Sequence, residues 1–390
     1  MTDMVYRAAA VQQVGDPVLP RWWRTIDKLT FGCILVLFAL GLLLGLAASA
    51  PLAQRLELDS FYFVVRQAVF GIAAITLMLM VSMLSPRMIR RLGVVGFVFA
   101  FASLAALPFV GTDFGKGAVR WFSLGVASFQ PSEVLKPFFI VVTAWLLVAG
   151  GQEGGPPGKR ISLLLTAVIV IMLALQPDFG QAALIIFTWT VMYFVAGAPM
   201  VLLMGLAGIV AGGGVIAYNS SDHFARRINS FLAEEFDPRS QIGFATNAIR
   251  EGGFFGVGVG QGQVKWSLPD AHTDFIIAVA AEEYGLLLVG AIILLFLVIV
   301  VRSLFRLMRE RDPFIRLAGT GLATVFGVQA MINMGVAVRL LPAKGMTLPF
   351  VSYGGSSLMA AGLSVGMLMA LTRARPQGLI GDILLRQGRR

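Results

Sequence analysis

Residues 268–301 read LPDAHTDFIIAVAAEEYGLLLVGAIILLFLVIVV, and this stretch decides the fold. From residue 275 onward the run is apolar except near Glu282 and Glu283, and it exceeds the ~20 residues that cross a bilayer's hydrocarbon core. Polar residues, ending at Asp274, precede the apolar run directly. The stretch therefore predicts a transmembrane helix that begins at a polar boundary.

The rest of the chain repeats this pattern. Of its 390 residues, 57% are hydrophobic and only 13% are charged, and the mean hydropathy is +0.82, which together exclude a soluble globular protein. We predict an all-α polytopic membrane protein with about ten transmembrane helices. The ten apolar runs are 31–50, 61–84, 92–110, 132–149, 161–176, 181–197, 199–218, 275–301, 317–341 and 356–372.

Basic residues predict the orientation. With a cytoplasmic N-terminus, 19 of the 31 Lys and Arg residues fall in inside segments, close to the ends of the spans. An N-in, C-in topology follows. Residues 1–30 are then a cytoplasmic tail and interfacial anchor, 31–372 the membrane domain, and 373–390 a basic cytoplasmic tail. Three conspicuous outer segments are 111–131, 341–355 and a large loop, 219–274, that precedes the eighth helix.

Composition also excludes several classes of function. The net charge of +10 is explained by orientation and by anionic membrane lipid, so nucleic acid is not an expected partner. A single cysteine, Cys33, excludes an internal disulfide framework, and two histidines cannot form a metal cluster by themselves. The glycine spacings match neither a phosphate-binding P-loop nor a dinucleotide-binding fingerprint.

Two outer segments each have two interpretations. The long loop 219–274 exceeds what a connection requires, which favours a functional segment over a solvated linker. Residues 176–180 lie between two short spans. They form either a tight interhelical turn, which we favour because Pro177 ends a helix, or a broken-helix substrate site.

The carboxylate of Asp274 is the strongest candidate for chemistry. Partial desolvation where the loop meets lipid would raise its pKa toward the range of a general base. Alternatively, Thr273 or Asp274 caps the following helix. Further along that helix, Glu282 and Glu283 cannot both share a face with Asp274, so at least one is expected to be a structural partner, salt-bridged to another helix.

Further candidate polar residues lie at the start of the fourth span, just upstream of that span, and in the last outer loop. Glu133 and Lys136, at i and i+3, are expected to neutralise each other, while Arg120 beside Trp121 is typical of a contact for an anion with an apolar part. The last outer loop contains Lys344, Ser352, Gly354 and Gly355. Its glycines and serines either present amides to phosphate or form an ordinary turn and cap.

Several of these strings together resemble the SEDS family of bacterial cell-envelope proteins, and within it the division branch more than the elongation branch. The resemblance implies a ten-span peptidoglycan glycosyltransferase of the inner membrane that polymerises lipid II on the periplasmic side. It also implies a class B penicillin-binding protein and other divisome membrane proteins as partners. The strings are 268–275, 281–283, 349–357, 130–136, 176–180 and 344–348.

The resemblance also assigns residue roles. Asp274 matches the family's essential aspartate and is expected to act as general base in an inverting transfer from which undecaprenyl pyrophosphate leaves. The expected substrate-binding residues are Arg120, Lys136, Lys344, His272, Thr273, Ser352, Gly354 and Gly355. Glu133, Glu282 and Glu283 are expected to be supporting residues. No cofactor is assigned, although Mg²⁺ or Mn²⁺ could neutralise diphosphate charge.

Two other functions are compatible with these residues. A lipid II flippase also needs polar residues and grooves within its spans. A non-catalytic divisome scaffold would use the outer loops for binding its partners. Catalysis is favoured because the titratable residues concentrate at the outer face, with few polar residues along a path across the spans.

Overall fold

A computed structural model describes residues 18–112, 119–123, 125, 128–232, 240–342 and 345–374. Lys344 and both predicted cytoplasmic tails, apart from residues 18–30 and 373–374, lie outside these ranges. The helices are α1 Val18–Thr25, α2 Lys28–Arg55, α3 Tyr62–Ser82, α4 Pro86–Val110, α5 Pro131–Ala149, α6 Gly158–Leu175, α7 Phe179–Val195, α8 Met200–Ser220, α9 Asp222–Leu232, α10 Gln241–Gly252, α11 Ile276–Met308, α12 Pro313–Ala337 and α13 Gly355–Thr372.

The all-α prediction is confirmed for the described residues, and each predicted apolar run coincides with a helix. Eight of the described helices, α2–α6 and α11–α13, have the length and apolar composition to cross a membrane. The shorter α7 and the apolar α8 occupy the sixth and seventh predicted runs. A small hairpin was not predicted: β1 (Phe122–Ser123) pairs antiparallel with β2 (Ser128–Phe129) in the outer segment that precedes α5.

The helices pack around two clusters of buried apolar side chains. One lies among α4–α7, α12 and α13, and the other among α2, α10 and α11–α13. Helix α13 lies against α3 so closely that a Cβ at Gly362 would be 2.4 Å from the carbonyl oxygen of Ala74. A glycine at this position therefore sets the distance between two helices whose ends border the site described below.

Helix α11 is interrupted at Gly285, where φ is +78° and ψ is −178°. The interruption leaves backbone groups of the helix without intrahelical partners, and residues 253–258 supply them. Val257 N–H donates to the Glu282 carbonyl at 2.9 Å, and Leu286 N–H donates to the Gly253 carbonyl at 3.0 Å. Backbone groups at membrane depth need such partners. The predicted single helix over 275–301 is therefore two helical pieces.

The long segment 219–274 is structured where it is described. It contains α9, α10 and a short 3₁₀ turn, Val264–Trp266. Helix α10 starts at the N-cap Ser240, whose hydroxyl accepts from Gly243 N–H at 3.0 Å, and it buries Ile242 and Ala245 against the bundle. The solvated-linker interpretation is therefore wrong for residues 240–274.

Both ends of the described chain lie on one face of the molecule. Trp22 donates to the Ser82 hydroxyl at the C-terminal end of α3 at 2.9 Å, and Ala374 N–H donates to the Thr25 carbonyl at 3.1 Å. The Arg302 guanidinium, near the end of α11, contacts Asp27 on the same face. We call this the α1 face; it agrees with the prediction that both termini share one side of the membrane.

Candidate active site

A cavity of about 440 Å³ opens at the face opposite the α1 face. Arg66 in the first turn of α3 places the cavity at this end, because Ser82 at the other end of that helix contacts Trp22. Most of the lining is polar. The polar lining residues are Arg66, Arg120, Ser128, Gln130, Glu133, Gln241, Asp270, His272, Thr273, Asp274, Thr347, Tyr353 and Ser357, together with the backbone of Gly345, Gly354 and Gly355.

Three helices begin at this cavity. The N-cap residues of α5, α11 and α13 are Gln130, Phe275 and Gly354; all three line the cavity, and none of their side chains accepts a hydrogen bond from its own helix. First-turn amides and the helix dipoles favour negative charge at such ends. The convergence makes the cavity suited to an anionic group.

Asp274 lies one residue before the N-cap of α11 and is half-buried in the cavity wall. Because the cap position is Phe275, the hypothesis that Thr273 or Asp274 caps the helix is wrong. The Thr273 hydroxyl instead donates to the Asp270 carbonyl at 3.1 Å. The backbone carbonyl of Asp274 accepts from Asn333 Nδ2 at 3.0 Å, so α12 holds the aspartate's backbone in place.

Asn333 also joins this segment to the last outer loop. Its amide nitrogen donates to the Met346 carbonyl at 2.6 Å, and the side chain is 1% exposed. Sequence reasoning missed Asn333, although a buried amide in an apolar helix is a signal of a required hydrogen bond. One side chain therefore links both segments that border the cavity near Asp274.

Ser352 lies behind the cavity wall. It is buried, its hydroxyl donates to the Thr273 carbonyl at 2.5 Å, and it accepts from Leu348 N–H at 3.0 Å. This differs from the predicted substrate-binding role, because both bonds tie the hydroxyl to backbone. Next to it, the His272 ring lies 5.6 Å from the Tyr353 ring and lines the cavity; its role as a substrate contact stays a prediction.

Arg120 lines the cavity but also has a structural role. Its Nε donates to the Gln176 carbonyl at 3.0 Å and its Nη2 to the Pro177 carbonyl at 2.7 Å. Helix α6 ends at Leu175 and α7 begins at Phe179, which confirms the tight interhelical turn. Arg120 thus fixes the outer segment before α5 to this turn, and it also lines the cavity.

Glu133 and Lys136 form the predicted ion pair, with Nζ and Oε2 2.8 Å apart. Gln181 donates to the other carboxylate oxygen of Glu133. Lys136 also donates to Gln329 Oε1 at 2.7 Å, and Gln329 Nε2 donates to the Thr347 carbonyl at 3.1 Å. Lys136 is 4% exposed and lies beside the cavity, not in its lining. Its ammonium is therefore placed to support the wall, in contrast to the predicted substrate-binding role.

Glu282 and Glu283 lie away from the cavity, in the first helical piece of α11. Glu282 accepts from Val264 N–H at 2.7 Å and from Lys265 N–H at 3.3 Å, while Glu283 forms an ion pair with the Lys265 ammonium. Glu282, Glu283 and Lys265 are buried. Both carboxylates therefore have structural partners, and the salt bridge to Glu283 comes from the short 3₁₀ helix of the long segment.

Arg66 is the main lining residue that sequence reasoning missed. It donates to the Tyr62 hydroxyl at 3.1 Å, and its guanidinium carbon lies 5.9 Å from the centre of the Phe70 ring. A lone arginine inside the apolar run 61–84 was the available signal, because an ionisable residue in a span indicates a functional site.

Lys344, a predicted substrate contact, lies outside the described residues. Its neighbour Gly345 lines the cavity, and a Cβ added there would be 3.3 Å from Asp274 Oδ2. The carboxylate therefore packs directly against the last outer loop. Among the described residues, no group of three or more His, Cys, Asp or Glu side chains is placed to hold a metal ion.

Comparison with known proteins gives relatives over almost the full chain. Residues 27–377 match the FtsW/RodA/SpoVE family model, described as cell cycle proteins. The chain is 44% identical over 368 residues to a probable peptidoglycan glycosyltransferase FtsW of Caulobacter vibrioides, covering 94% of each chain. It is 34% identical over 372 residues to the corresponding protein of Halorhodospira halophila, covering 91% of this chain and 94% of that one.

Solved structures show the same architecture. A chain from a peptidoglycan synthase complex that coordinates polymerization and crosslinking superposes with a TM-score of 0.74 at 28% identity, covering 89% of this chain and 97% of that one. The rod shape determining protein RodA of Thermus thermophilus superposes with a TM-score of 0.65 at 27% identity, covering 90% and 97%.

Proposed function

This chain belongs to the FtsW/RodA/SpoVE family of cell cycle proteins, and we propose that it polymerises lipid II with Asp274 as the general base. Its activity class is peptidoglycan glycosyltransferase, because relatives of 44% and 34% identity over nearly the whole chain carry that name. Both are FtsW proteins, in agreement with the resemblance to the division branch. The catalytic and binding roles of individual residues, the lipid II substrate and the mechanism are our proposal.

The observation that supports the mechanism is the set of groups that line the cavity. The Asp274 carboxylate faces a space in which three helix N-termini, Arg66 and Arg120 converge. A carboxylate can accept a proton, and the surrounding amides and guanidinium groups can stabilise an anion. A glycosyl transfer in which a diphosphate leaves requires both functions in one site.

In the proposed step, Asp274 accepts the proton of the 4-hydroxyl of the acceptor sugar. The oxygen of that hydroxyl forms a bond to the anomeric carbon of the donor, with inversion. The bond between that carbon and the diphosphate breaks, and undecaprenyl diphosphate leaves with the electron pair. Because this leaving group is already a stable anion, one base suffices, whereas glycoside hydrolysis needs a second carboxyl as acid.

Arg66 also indicates a route for the lipid tail. A second space of about 540 Å³ is lined by Asp59, Phe61, Tyr62, Val65, Arg66 and Gly125, and it shares Arg66 with the cavity. The apolar side chains of this space are well exposed, with Phe61 60% and Val65 59% exposed. We propose that the diphosphate lies at Arg66 while the polyprenyl chain runs outward over these residues.

The cellular setting is part of the same proposal. The eight apolar helices make this a multi-pass membrane protein, which we place in the bacterial inner membrane with the cavity open to the periplasm. One structural relative is a chain of a peptidoglycan synthase complex. We propose a class B penicillin-binding protein as partner, along with other divisome membrane proteins.

Whether the protein itself binds a divalent cation depends on the carboxylates that line the cavity. Asp270, Asp274 and Glu133 line the cavity, but they do not form a three-ligand group, and Glu133 is already paired with Lys136. The described residues therefore do not fit a resident metal, and no step above uses one. We propose that Mg²⁺ or Mn²⁺, where present, enters with the diphosphate of the substrate.

The test is polymerisation of purified lipid II by the purified protein, with and without the penicillin-binding partner. We expect Asp274→Asn to lower the rate by about 10²–10⁴-fold while the protein stays folded, because the isosteric amide cannot accept the proton. Asp270→Asn is the matched control within the cavity: its φ of +54° is one that asparagine tolerates. We expect a much smaller loss for this variant.

Each outcome decides an assignment. Loss of activity in Asp270→Asn but not in Asp274→Asn would move the base to Asp270, and full activity in both would reject a cavity carboxylate as base. A transporter would instead move fluorescent lipid II between the leaflets of liposomes without elongating it. A scaffold would show neither activity, and Asp274 would be dispensable for division.

A further inference from the structure

A second site lies at the opposite end of the molecule from the cavity. A groove of about 780 Å³ runs between the start of α2 and the C-terminal part of α11. Its walls along α11 change from apolar side chains, Leu297 and Val301, to Phe305 and the arginines Arg302, Arg306 and Arg309. Helical spacing places successive members of this set on one stripe.

The arginines are held in place by a buried acid. The Arg302 Nε lies 2.7 Å from Asp27 Oδ2, and the Arg306 Nε lies 3.3 Å from the same oxygen. Asp27 is 3% exposed, whereas the side chains of Arg302 and Arg306 are 42% and 33% exposed. Asp27 therefore holds both arginines through Nε, while their side chains stay partly exposed in the groove lining.

The groove has a surplus of positive charge. Arg306 Nη1 reaches the Thr372 carbonyl at 3.3 Å, and the Arg309 side chain has no hydrogen-bond partner among the described residues. The neighbouring acid, Glu310, turns into its own loop, where it accepts from the backbone N–H of Arg311 at 3.0 Å. Of the three arginines that line the groove, Arg302 and Arg306 thus share a single described carboxylate partner, that of Asp27.

We propose that this groove binds one anionic diacyl phospholipid from the leaflet at the α1 face. Its phosphate would lie at Arg306 and Arg309, and an acyl chain would lie over Leu297, Val301 and Phe305. The order of the groove, apolar toward the bilayer centre and basic at its edge, is the order of tail and headgroup in a phospholipid. Exposure of the apolar part supports this, since Leu297 is 55% and Phe305 62% exposed. The inference does not depend on the proposed glycosyltransferase mechanism.

The test is binding of lipid to the delipidated full-length protein, measured by native mass spectrometry. Phosphatidylglycerol is compared with phosphatidylcholine of the same acyl chains. We expect tighter binding of phosphatidylglycerol, and about fivefold weaker binding for each arginine replaced in Arg306→Gln/Arg309→Gln. The control, Arg91→Gln/Arg316→Gln, removes the same charge from exposed positions outside the groove and should bind as wild type does.

Several results would overturn the proposal. These are equal binding of the two lipids by wild type, no loss in the groove variant, or an equal loss in the control, which would indicate general surface charge. Complete displacement of phosphatidylglycerol by inorganic phosphate alone would reject the role of the apolar part. If the double variant does not fold, Arg309→Gln carries the test, because no described residue depends on that side chain for a hydrogen bond.

Discussion

Two aspartates stand just ahead of long membrane helices at opposite faces of this protein. Asp27 is the N-cap of α2: it accepts from Leu29 N–H at 3.3 Å and from the Thr30 hydroxyl at 3.1 Å, and it pairs with two arginines. Asp274 precedes α11, does not occupy its cap position, and lines a cavity. The residue type and its place in the sequence are similar, but the surroundings differ.

The difference separates structural from chemical use of a carboxylate. Burial alone raises the pKa of Asp27, but the hydrogen bond from Arg302 and the charge of Arg306 outweigh burial and lower it below its ordinary value. At the cavity, by contrast, helix ends without side-chain caps face open space. Asp27 caps its helix and pairs with two arginines, and so stabilises the fold. In our proposal Asp274, which lines the cavity beside three helix N-termini, acts on the substrate.

The largest expected effect concerns Glu133. This residue lines the cavity, but like Asp27 it forms an ion pair, in its case with Lys136. We expect Lys136→Met to lower the free energy of unfolding by about 3–5 kcal/mol, since the buried carboxylate loses its cation. Adding Glu133→Gln should restore most of that stability, because no unpaired charge remains. Thermal unfolding of the purified variants in detergent measures both effects.

The buried pair Lys265–Glu283 is the matched control, since it is equally enclosed but distant from the cavity. Lys265→Met/Glu283→Gln should retain polymerase activity once folded. Lys136→Met/Glu133→Gln should not, because Lys136 also holds the Gln329–Thr347 contact at the cavity wall. Equal activities, or a double variant no more stable than Lys136→Met, would show that the two pairs do not differ as proposed.

Much of the fold was predictable from sequence, because hydrophobic length reports the spans directly. The turn at 176–178 and the Glu133–Lys136 pair were also predictable, since both depend on neighbours in the chain. The break at Gly285 was not: the apolar run continues through it, and the break exists because residues 253–258 supply its backbone partners. Such a partner is a property of the tertiary fold.

The candidate site divides in the same way. The starts of α5, α11 and α13 could each be recognised from local signals, but their convergence depends on packing between helices distant in sequence. Sequence reasoning likewise identified Ser352 as a polar residue near the site, but not that its hydroxyl is bonded to the backbone of Thr273. Local patterns locate helix ends, and packing decides which of them meet.

The structural role of Asp27 gives the second test. Because its pKa is lowered in the folded protein, the stability it contributes is present above the ordinary pKa, near 4, and is lost as pH falls through the folded value. We expect Asp27→Asn to lower the free energy of unfolding by about 1–2 kcal/mol at neutral pH, because the arginine contacts are partly exposed. The measurement is the free energy of unfolding across about pH 2–7. The wild-type value should include the acid-dependent contribution of Asp27, and the Asp27→Asn value should lack it.

Asp312→Asn is the control for Asp27→Asn. Asp312 is the N-cap of α12 on the same face and accepts from Phe314 N–H at 2.9 Å, and the structure shows no arginine ion pair for it among the described residues. Asparagine caps a helix about as well as aspartate. A loss in Asp312→Asn as large as in Asp27→Asn would mean that capping, and not the arginine pair, distinguishes Asp27.

The smallest expected effect concerns the space beside Asp274. A Cβ at Gly345 would lie 3.3 Å from Asp274 Oδ2, closer than ordinary van der Waals contact, so Gly345→Ala should displace the carboxylate by a few tenths of an ångström. We expect about a three- to tenfold lower kcat with nearly unchanged stability, because catalysis depends on the position of the base more steeply than folding does. Gly290→Ala on α11 adds the same methyl group where nothing lies within 4 Å and should leave kcat unchanged. If Gly345→Ala lowered stability but not kcat, the Asp274 region would be structural in the same sense as the Asp27 region, and the contrast between the two faces would fail.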